Sequence, residues 1–406
     1  MEYKKLFADR IGGNQFGETT EIFKFEKIKR ARLKAQQLRP GIEILDFGVG
    51  EPDLMAPAPI RNALKSEIDK AKNRGYADNG IAEFKQAAAD YMQGFFGVEL
   101  DPTNEINHSM GTKSALAMLP LAFVNPGDIV FQTVPGYPIL AIHAKYLGGN
   151  VVNIPLLEDH AFLPDLGTIA PALADRCKLF YINYPNNPTG AVATDQFYDE
   201  LIAFATKHNI LIVQDAPYAT LVYDGPGKSI LQRPGAKACA IEIHSMSKAF
   251  NMTGWRLAFF CGASWAVNAL ATIKDNCDSG QLKAIQHAAC AGIADLSLAE
   301  EIRLHYERRL QRMVAVLGKA GFDTKMPHGT FYLYVKAPKG MGKINFTSAE
   351  EASLHLLENH AISTVPWDDT GAYLRFGAVF ESAGEADDER VLNELSRRLK
   401  KADLKF

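Results

Sequence analysis

Hydrophobic positions in the middle of the chain fall into short unbroken runs, each followed by a turn and often by a periodic stretch. Lys178-Leu-Phe-Tyr-Ile-Asn183 is one such run, closed by Pro185-Asn-Asn-Pro-Thr-Gly190. Dense Pro, Asn and Gly of this kind end regular structure. Thr194 is then placed to cap a helix. Phe197, Leu201, Phe204 and Ala205 recur at spacings of three and four, so one helical face is apolar. Lys207, His208 and Asn209 close it. Ile210-Leu-Ile-Val213 is a second apolar run, with Asp215 just beyond. Runs without polar alternation predict strands buried on both faces, as in a parallel sheet under helices.

The pattern recurs. Asp128-Ile-Val-Phe131 precedes Pro135-Gly-Tyr-Pro138, Ala240-Ile-Glu-Ile-His244 precedes Ser245-Met-Ser-Lys248, and Arg256-Leu-Ala-Phe-Phe260 precedes Gly262. Open parallel sheets bind ligands beyond the carboxyl ends of their strands. Tyr137, Asn187, Asp215 and Lys248, from separate turns, are therefore expected to share one cleft.

The two ends read differently. Phe25 to Leu38 is a basic helical stretch with Phe25, Ile28, Ala35 and Leu38 on one side. A long helix from Glu300 carries Ile302, Tyr306, Leu310, Met313 and Leu317, and Phe331–Val335 and Tyr373–Phe376 read as strands. Regular alternation is lost, which predicts a second, α+β domain. The expected division is 1–50 as an N-terminal arm with part of a small domain, 51–290 as a large domain, and 291–406 as the C-terminal small domain.

Composition narrows the function. Of 406 residues, 47% are hydrophobic and 22% charged, an ordinary globular balance that excludes a disordered chain. With 44 basic and 47 acidic residues the net charge is −3, which gives no global field for nucleic acid. No apolar run reaches the roughly 18 residues of a membrane helix. The longest candidate, Ala115 to Val124, contains Pro120, and the N-terminal residues show no secretory pattern. The five cysteines are scattered without a Cys-x-x-Cys pair, arguing against disulfides or a cysteine zinc site. A soluble cytoplasmic protein, with no membrane or nucleic-acid partner, is expected.

Several local motifs carry no chemistry. Gly48-Val-Gly50 lacks the third glycine of a dinucleotide turn, since Asp53 stands there. Gly227-Lys-Ser229 mimics the end of a P-loop, but Val222 replaces its first glycine. The ten histidines form no His-Glu-x-x-His, and His355 and His360 are five apart, off one helical face, so no metal site is expected. The basic stretch Lys24 to Arg39 reads as a helix laid on its own protein rather than on a membrane.

The informative set is Asn187, Asp215, Tyr218 and Ser245-Met-Ser-Lys-Ala-Phe-Asn-Met-Thr-Gly-Trp-Arg256. Taken singly these are a turn residue, a surface lysine and a salt-bridge arginine. Together, hydroxyls with an arginine suit a phosphate. A desolvated lysine near positive charge can condense with an aldehyde. A carboxylate that keeps a ring nitrogen protonated makes that ring an electron sink. The three needs together describe pyridoxal 5′-phosphate.

The sequence resembles the fold-type I pyridoxal-phosphate enzymes, specifically the class I/II aminotransferases, over nearly its whole length. Asn-Asn-Pro-Thr-Gly at 186–190, Asp215-x-x-Tyr218 and Ser-x-Ser-Lys-x-x-x-x-x-Gly-x-Arg at 245–256 occur in that family's order and spacing. The resemblance implies an α/β fold, with a mostly parallel central sheet under helices and a smaller α+β domain. It also implies a homodimer with shared active sites. Lys248, Asp215 and Tyr218 would be catalytic, with Lys248 holding the cofactor and moving the proton. Asn187 and Tyr218 would bond the ring oxygen, and Tyr137 would stack on the ring. The phosphate would be held by Gly111, Thr112, Lys113, Ser245, Ser247 and Arg256, with Tyr76 lent by the neighbouring subunit. Arg375, assisted by Asn187 and the Gly50 amide, would hold the substrate carboxylate.

Within the family, Phe16-Gly-Glu-Thr-Thr20, Lys24-Phe-Glu-Lys-Ile-Lys-Arg30 and the stretch from Ile362 to Asp369 are similar to sequences assigned as LL-diaminopimelate aminotransferases. Ser279-Gly280 departs from the Asn-Gly of better-known members. The implied substrates are an amino acid, LL-diaminopimelate first, and 2-oxoglutarate. Alanine, aspartate or aromatic transamination, carbon–sulfur β-lyase chemistry and a non-catalytic regulator remain open.

Overall fold

A computed structural model describes residues 3–18, 24–38 and 40–406, without the side chains at 24–27, 29 and 38. Thr19 and Thr20 therefore lie outside the described residues, as do the side chains of Phe25 and Leu38.

Seven strands form the main sheet. Their spatial order is Ile106–Ser109, Ala258–Gly262, Ala240–Ser245, Leu211–Asp215, Cys177–Asn183, Ile129–Val134 and Asn150–Pro155. The five predicted apolar runs are strands of this sheet, Ile106–Ser109 and Asn150–Pro155 being strands that the sequence reading does not include, and alternate residues serve opposite faces. Phe131, Phe180, Ile182, Ile212 and Phe259 join one core with Phe84, Tyr91 and Phe197. Val130, Leu179, Tyr181, Val213, Ile241 and Ile243 join another with Leu116, Leu119, Leu140 and Leu270. Burying each such side chain contributes roughly 1.5–3 kcal/mol. The runs are not wholly apolar: Glu242 and His244 on one face of Ala240–Ser245 are buried and lie 2.9 Å apart. The helix Asp195–His208 begins as expected, with Thr194 Oγ1 accepting from Phe197 N at 3.0 Å, and ends at Asn209 in the left-handed region. The apolar stretch containing Pro120 belongs to the helix Thr112–Phe123, whose inner face packs on the sheet. Among the described residues no helix is long and apolar enough to cross a membrane.

One strand departs from the parallel expectation. Ala258–Gly262 runs antiparallel to both of its neighbours. An antiparallel strand reads as apolar as a parallel one when both its faces are buried, so the run alone does not give its direction. The reversal has a consequence for the site. It carries Gly262 away from the carboxyl edge of the sheet and leaves Arg256, just before the strand, on that edge.

A further core gathers Leu45 and Phe47 with Tyr306, Leu310 and Met313 of the helix Ser297–Lys319. It includes Leu333, Val335, Leu374 and Phe376 from the antiparallel strands Tyr332–Lys336 and Tyr373–Gly377, which pair alongside Val365–Trp367. The helix Lys24–Leu38 lies against this part. Ala35 is buried, and Ile28 packs on Val365, Trp367 and Tyr373.

Candidate active site

The carboxyl edge of the main sheet opens into a cavity of about 300 Å³. Its wall includes Gly50, Thr112, Lys113, Tyr137, Asn187, Asp215, Tyr218, Ser245, Ser247, Lys248, Arg256 and Arg375, all expected from the sequence. Asn183, Pro217, Thr253 and Tyr332 complete it. Cross-strand register brings the first group together. Asn183 lies opposite Asp215, and Ser245 opposite Ala258, so the ends of successive strands are level.

Asp215 is the last residue of its strand and is 2% exposed. Its Oδ2 accepts from Tyr181 OH at 3.1 Å, while its Oδ1 is buried without a hydrogen-bond partner. Burial pushes the carboxyl up to about 7, and the Tyr181 bond opposes the rise. An orphaned carboxylate oxygen beside a cavity suits a cationic N–H. Asn183 Nδ2 ties the Asp215 carbonyl at 2.7 Å, and Asn183 Oδ1 accepts from Asn187 N at 2.9 Å. One strand-end asparagine thus fixes both of the neighbouring site residues.

Lys248 lies in the short helix Met246–Ala249, which starts directly from the strand Ala240–Ser245. Ser245 Oγ caps that turn by accepting from Ser247 N at 3.1 Å. Lys248 Nζ donates to Gly50 O at 2.8 Å and stands 5.7 Å from the centre of the Phe331 ring. Burial lowers its amine to about 7; Glu51 opposes the shift, and Arg256 and Arg375 add to it.

At the opposite end, Gly111 has φ +81° and precedes the helix Thr112–Phe123. The backbone angle favours glycine, and a Cβ there would push the Arg256 guanidinium out of its place. The helix N-terminus, the Arg256 guanidinium, Ser245 and Ser247 make an end suited to a phosphate. Arg256 Nη1 is steadied by Thr253 O at 2.8 Å.

Arg375 is 1% exposed. Its Nη1 donates to Asn187 Oδ1 at 2.9 Å and its Nη2 to Gly48 O at 3.0 Å, and its guanidinium lies 4.0 Å from the centre of the Tyr332 ring. Tyr332 OH and Tyr218 OH are 3.1 Å apart. Tyr137 is half-buried in the wall, and burial raises its phenol to about 12. Tyr76 stands apart, 82% exposed and outside this cavity. Among the described residues no cluster could hold a metal ion, and the five cysteines are free thiols.

Tyr181, Asn183 and Tyr332 were not legible as site residues. Tyr181 and Asn183 read as strand filler, although their shared face is the one that ends beside Asp215. Tyr332 reaches the site only when its own small sheet docks, and no local pattern records that.

The sheet and the lysine turn, with Arg256 and Arg375 on the same cavity wall, set the frame for comparison with known proteins. The aminotransferase class I and II pattern matches residues 42–378, and the chain belongs to this family of transaminases. It is 50% identical to the LL-diaminopimelate aminotransferase of Methanocaldococcus jannaschii, with 99% of each chain covered. It is 47% identical to that of Methanococcus maripaludis, with the same coverage. In three dimensions it resembles substrate-bound BacF from Bacillus subtilis, with a TM-score of 0.88 and 30% identity over 96% of this chain and 97% of that one. A single mutant of Thermus thermophilus aspartate aminotransferase, 24% identical with a TM-score of 0.84 over 97% and 99% of the two chains, shares the fold. Enzymes of this family and fold generally depend on pyridoxal phosphate.

Proposed function

We propose that the protein uses pyridoxal 5′-phosphate to move the amino group of LL-diaminopimelate to 2-oxoglutarate, as a step of lysine biosynthesis. The observation that carries amino transfer is the cavity joining Lys248, the orphaned Asp215 oxygen and the Arg375 fork. When bound, the cofactor supplies an aldehyde that carries the amine and a ring that accepts electrons. Asp215 Oδ1 would keep the ring nitrogen protonated. Asn187 and Tyr218 would bond the ring oxygen, and Tyr137 would cover the ring face. Gly111, Thr112, Lys113, Ser245, Ser247 and Arg256 would hold the phosphate. Lys248 Nζ would take the proton from the donor Cα and return it at the cofactor end. Arg375, with Asn187 and the Gly50 amide, would hold the α-carboxylate.

The exposed Tyr76 supports a homodimer in which each copy lends this ring to its neighbour's phosphate end. The relatives' activity supports the donor. Comparing kcat/KM for LL-diaminopimelate, alanine, aspartate and phenylalanine tests it. LL-diaminopimelate is expected to win clearly, and a clear win for any of the others removes the substrate assignment while leaving amino transfer in place.

Asp215→Asn keeps the shape of the residue but cannot supply its charge. Turnover is expected to fall by roughly 10²-fold or more, the scale of losing one electrostatic stabiliser. A rate near that of the unmodified enzyme would remove Asp215 from the reaction.

A further inference from the structure

Arg309 is among the largest fully buried side chains, at 2% exposure, and lies outside the cavity. It projects from the helix Ser297–Lys319 into a polar node that amino-transfer chemistry does not require. Its Nε and Nη2 hold Asp388 at 3.0 and 2.9 Å. Its Nη1 donates to the carbonyls of Ala378 and Phe380 at 3.0 and 3.1 Å, and lies 3.0 Å from Asp53 Oδ2. Nη2 also reaches Ser382 Oγ at 3.0 Å, and the guanidinium sits 4.4 Å from the centre of the Phe380 ring. Tyr306, on the same helix, donates to Asp53 Oδ1 at 3.2 Å.

The partners of Arg309 are Asp53 of the Gly48–Asp53 segment, residues just beyond the strand that carries Arg375, and Asp388 of the helix Glu385–Ala402, which stands away from the cavity; the first two groups enter the site a few residues away. Asp53 follows Gly48 and Gly50, whose carbonyls accept from Arg375 and Lys248. Ala378 and Phe380 follow the strand that carries Arg375. These segments also meet directly, with Gly377 N donating to Phe47 O at 2.7 Å. Two carboxylates and two carbonyls around one rigid fork form a joint that a lysine cannot reproduce.

We propose that Arg309 is a positioning residue for substrate binding: it fixes the Gly48–Asp53 turn to the Arg375 strand, so that the α-carboxylate subsite keeps its spacing. This rests on the aminotransferase reading above. A small displacement of such a subsite costs rate without removing any contacting group. The phosphate end is separate, because the bonds of Ser245, Ser247 and Arg256 lie outside the Arg309 node, whereas Lys248 touches the turn through Gly50 O.

The test compares each amino acid with the amine that lacks its carboxylate, for instance alanine with ethylamine, in half-reactions of the holoenzyme. Unmodified enzyme that prefers the amino acid supports the aminotransferase reading, and the variant-to-parent ratio tests Arg309 separately. In Arg309→Lys the amino acid is expected to lose 10-fold or more in kcat/KM, with KM rising and kcat falling, while the amine loses several-fold less and phosphate-end cofactor affinity stays unchanged. Asp53→Asn loosens the turn alone and should reproduce the loss if Arg309→Lys does not fold. Retained selectivity in a variant that merely melts earlier would overturn the proposal and leave Arg309 as an interior ion pair.

Discussion

Lys248→Ala is expected to lower turnover by at least about 10⁴-fold, the upper end of what one general base contributes, because the same amine also anchors the cofactor. The structure explains why this lysine is suited to both tasks. Burial brings its amine to about 7, with Glu51 opposing and Arg256 and Arg375 adding to the shift. An ordinary lysine, near 10.4, is almost wholly protonated at neutral pH and is a poor nucleophile. Here the neutral fraction grows as pH rises through 7. Capture of pyridoxal phosphate by the cofactor-free protein should therefore accelerate through pH 7 and level off above about pH 8. Continued acceleration toward pH 10 would show an unshifted amine. Borohydride reduction and peptide mapping should place the pyridoxyl group on Lys248, and a label on Lys113 would overturn the assignment. Weak cofactor binding should survive in Lys248→Ala, because the phosphate end is built from other residues.

How far the site could be read from the chain depends on how local each signal is. Asn187, Asp215 and Lys248 stand at or just beyond strand ends, so apolar runs and turn residues locate them without knowledge of sheet order. Family spacing then adds Arg256, which a parallel reading of Arg256–Phe260 would have put at the wrong end of its strand. The antiparallel direction of Ala258–Gly262 is decided by pairing with Ile106–Ser109 and Ala240–Ser245, and pairing leaves no trace in one strand's own composition. Tyr332 and Arg309 were opaque for a related reason. Each reads as part of a strand or a helix face, and its function appears only where the 45–53 segment, the helix Ser297–Lys319 and the strand Tyr373–Gly377 meet. Arg309 in particular breaks the rule that charges stay outside. Its position on an otherwise apolar helical stripe beside Tyr306, Leu310 and Met313 is the one local sign that it has buried partners.

Arg375→Lys is expected to cut kcat/KM for every amino acid donor by about 10²-fold or more, the cost of misplacing a bound group by about 1 Å. The charge is conserved, so a simple attraction for carboxylate would leave the rate nearly intact. Shape is what changes. The guanidinium already spends Nη1 on Asn187 Oδ1 and Nη2 on Gly48 O, and it lies 4.0 Å from the centre of the Tyr332 ring. A planar fork can meet these acceptors and a carboxylate in one fixed plane, whereas an ammonium is a point charge on a flexible stem. Fixing the carboxylate also fixes which bond at Cα faces Lys248 Nζ, so binding and proton transfer should suffer together, with kcat falling and KM rising. Donors that differ only in side chain should lose by similar factors, because all of them present the same carboxylate. The affinity of the variant for the cofactor should stay close to that of the parent, since the phosphate end is untouched. One donor keeping its full rate would show that its carboxylate is held elsewhere, and would remove Arg375 from the substrate site.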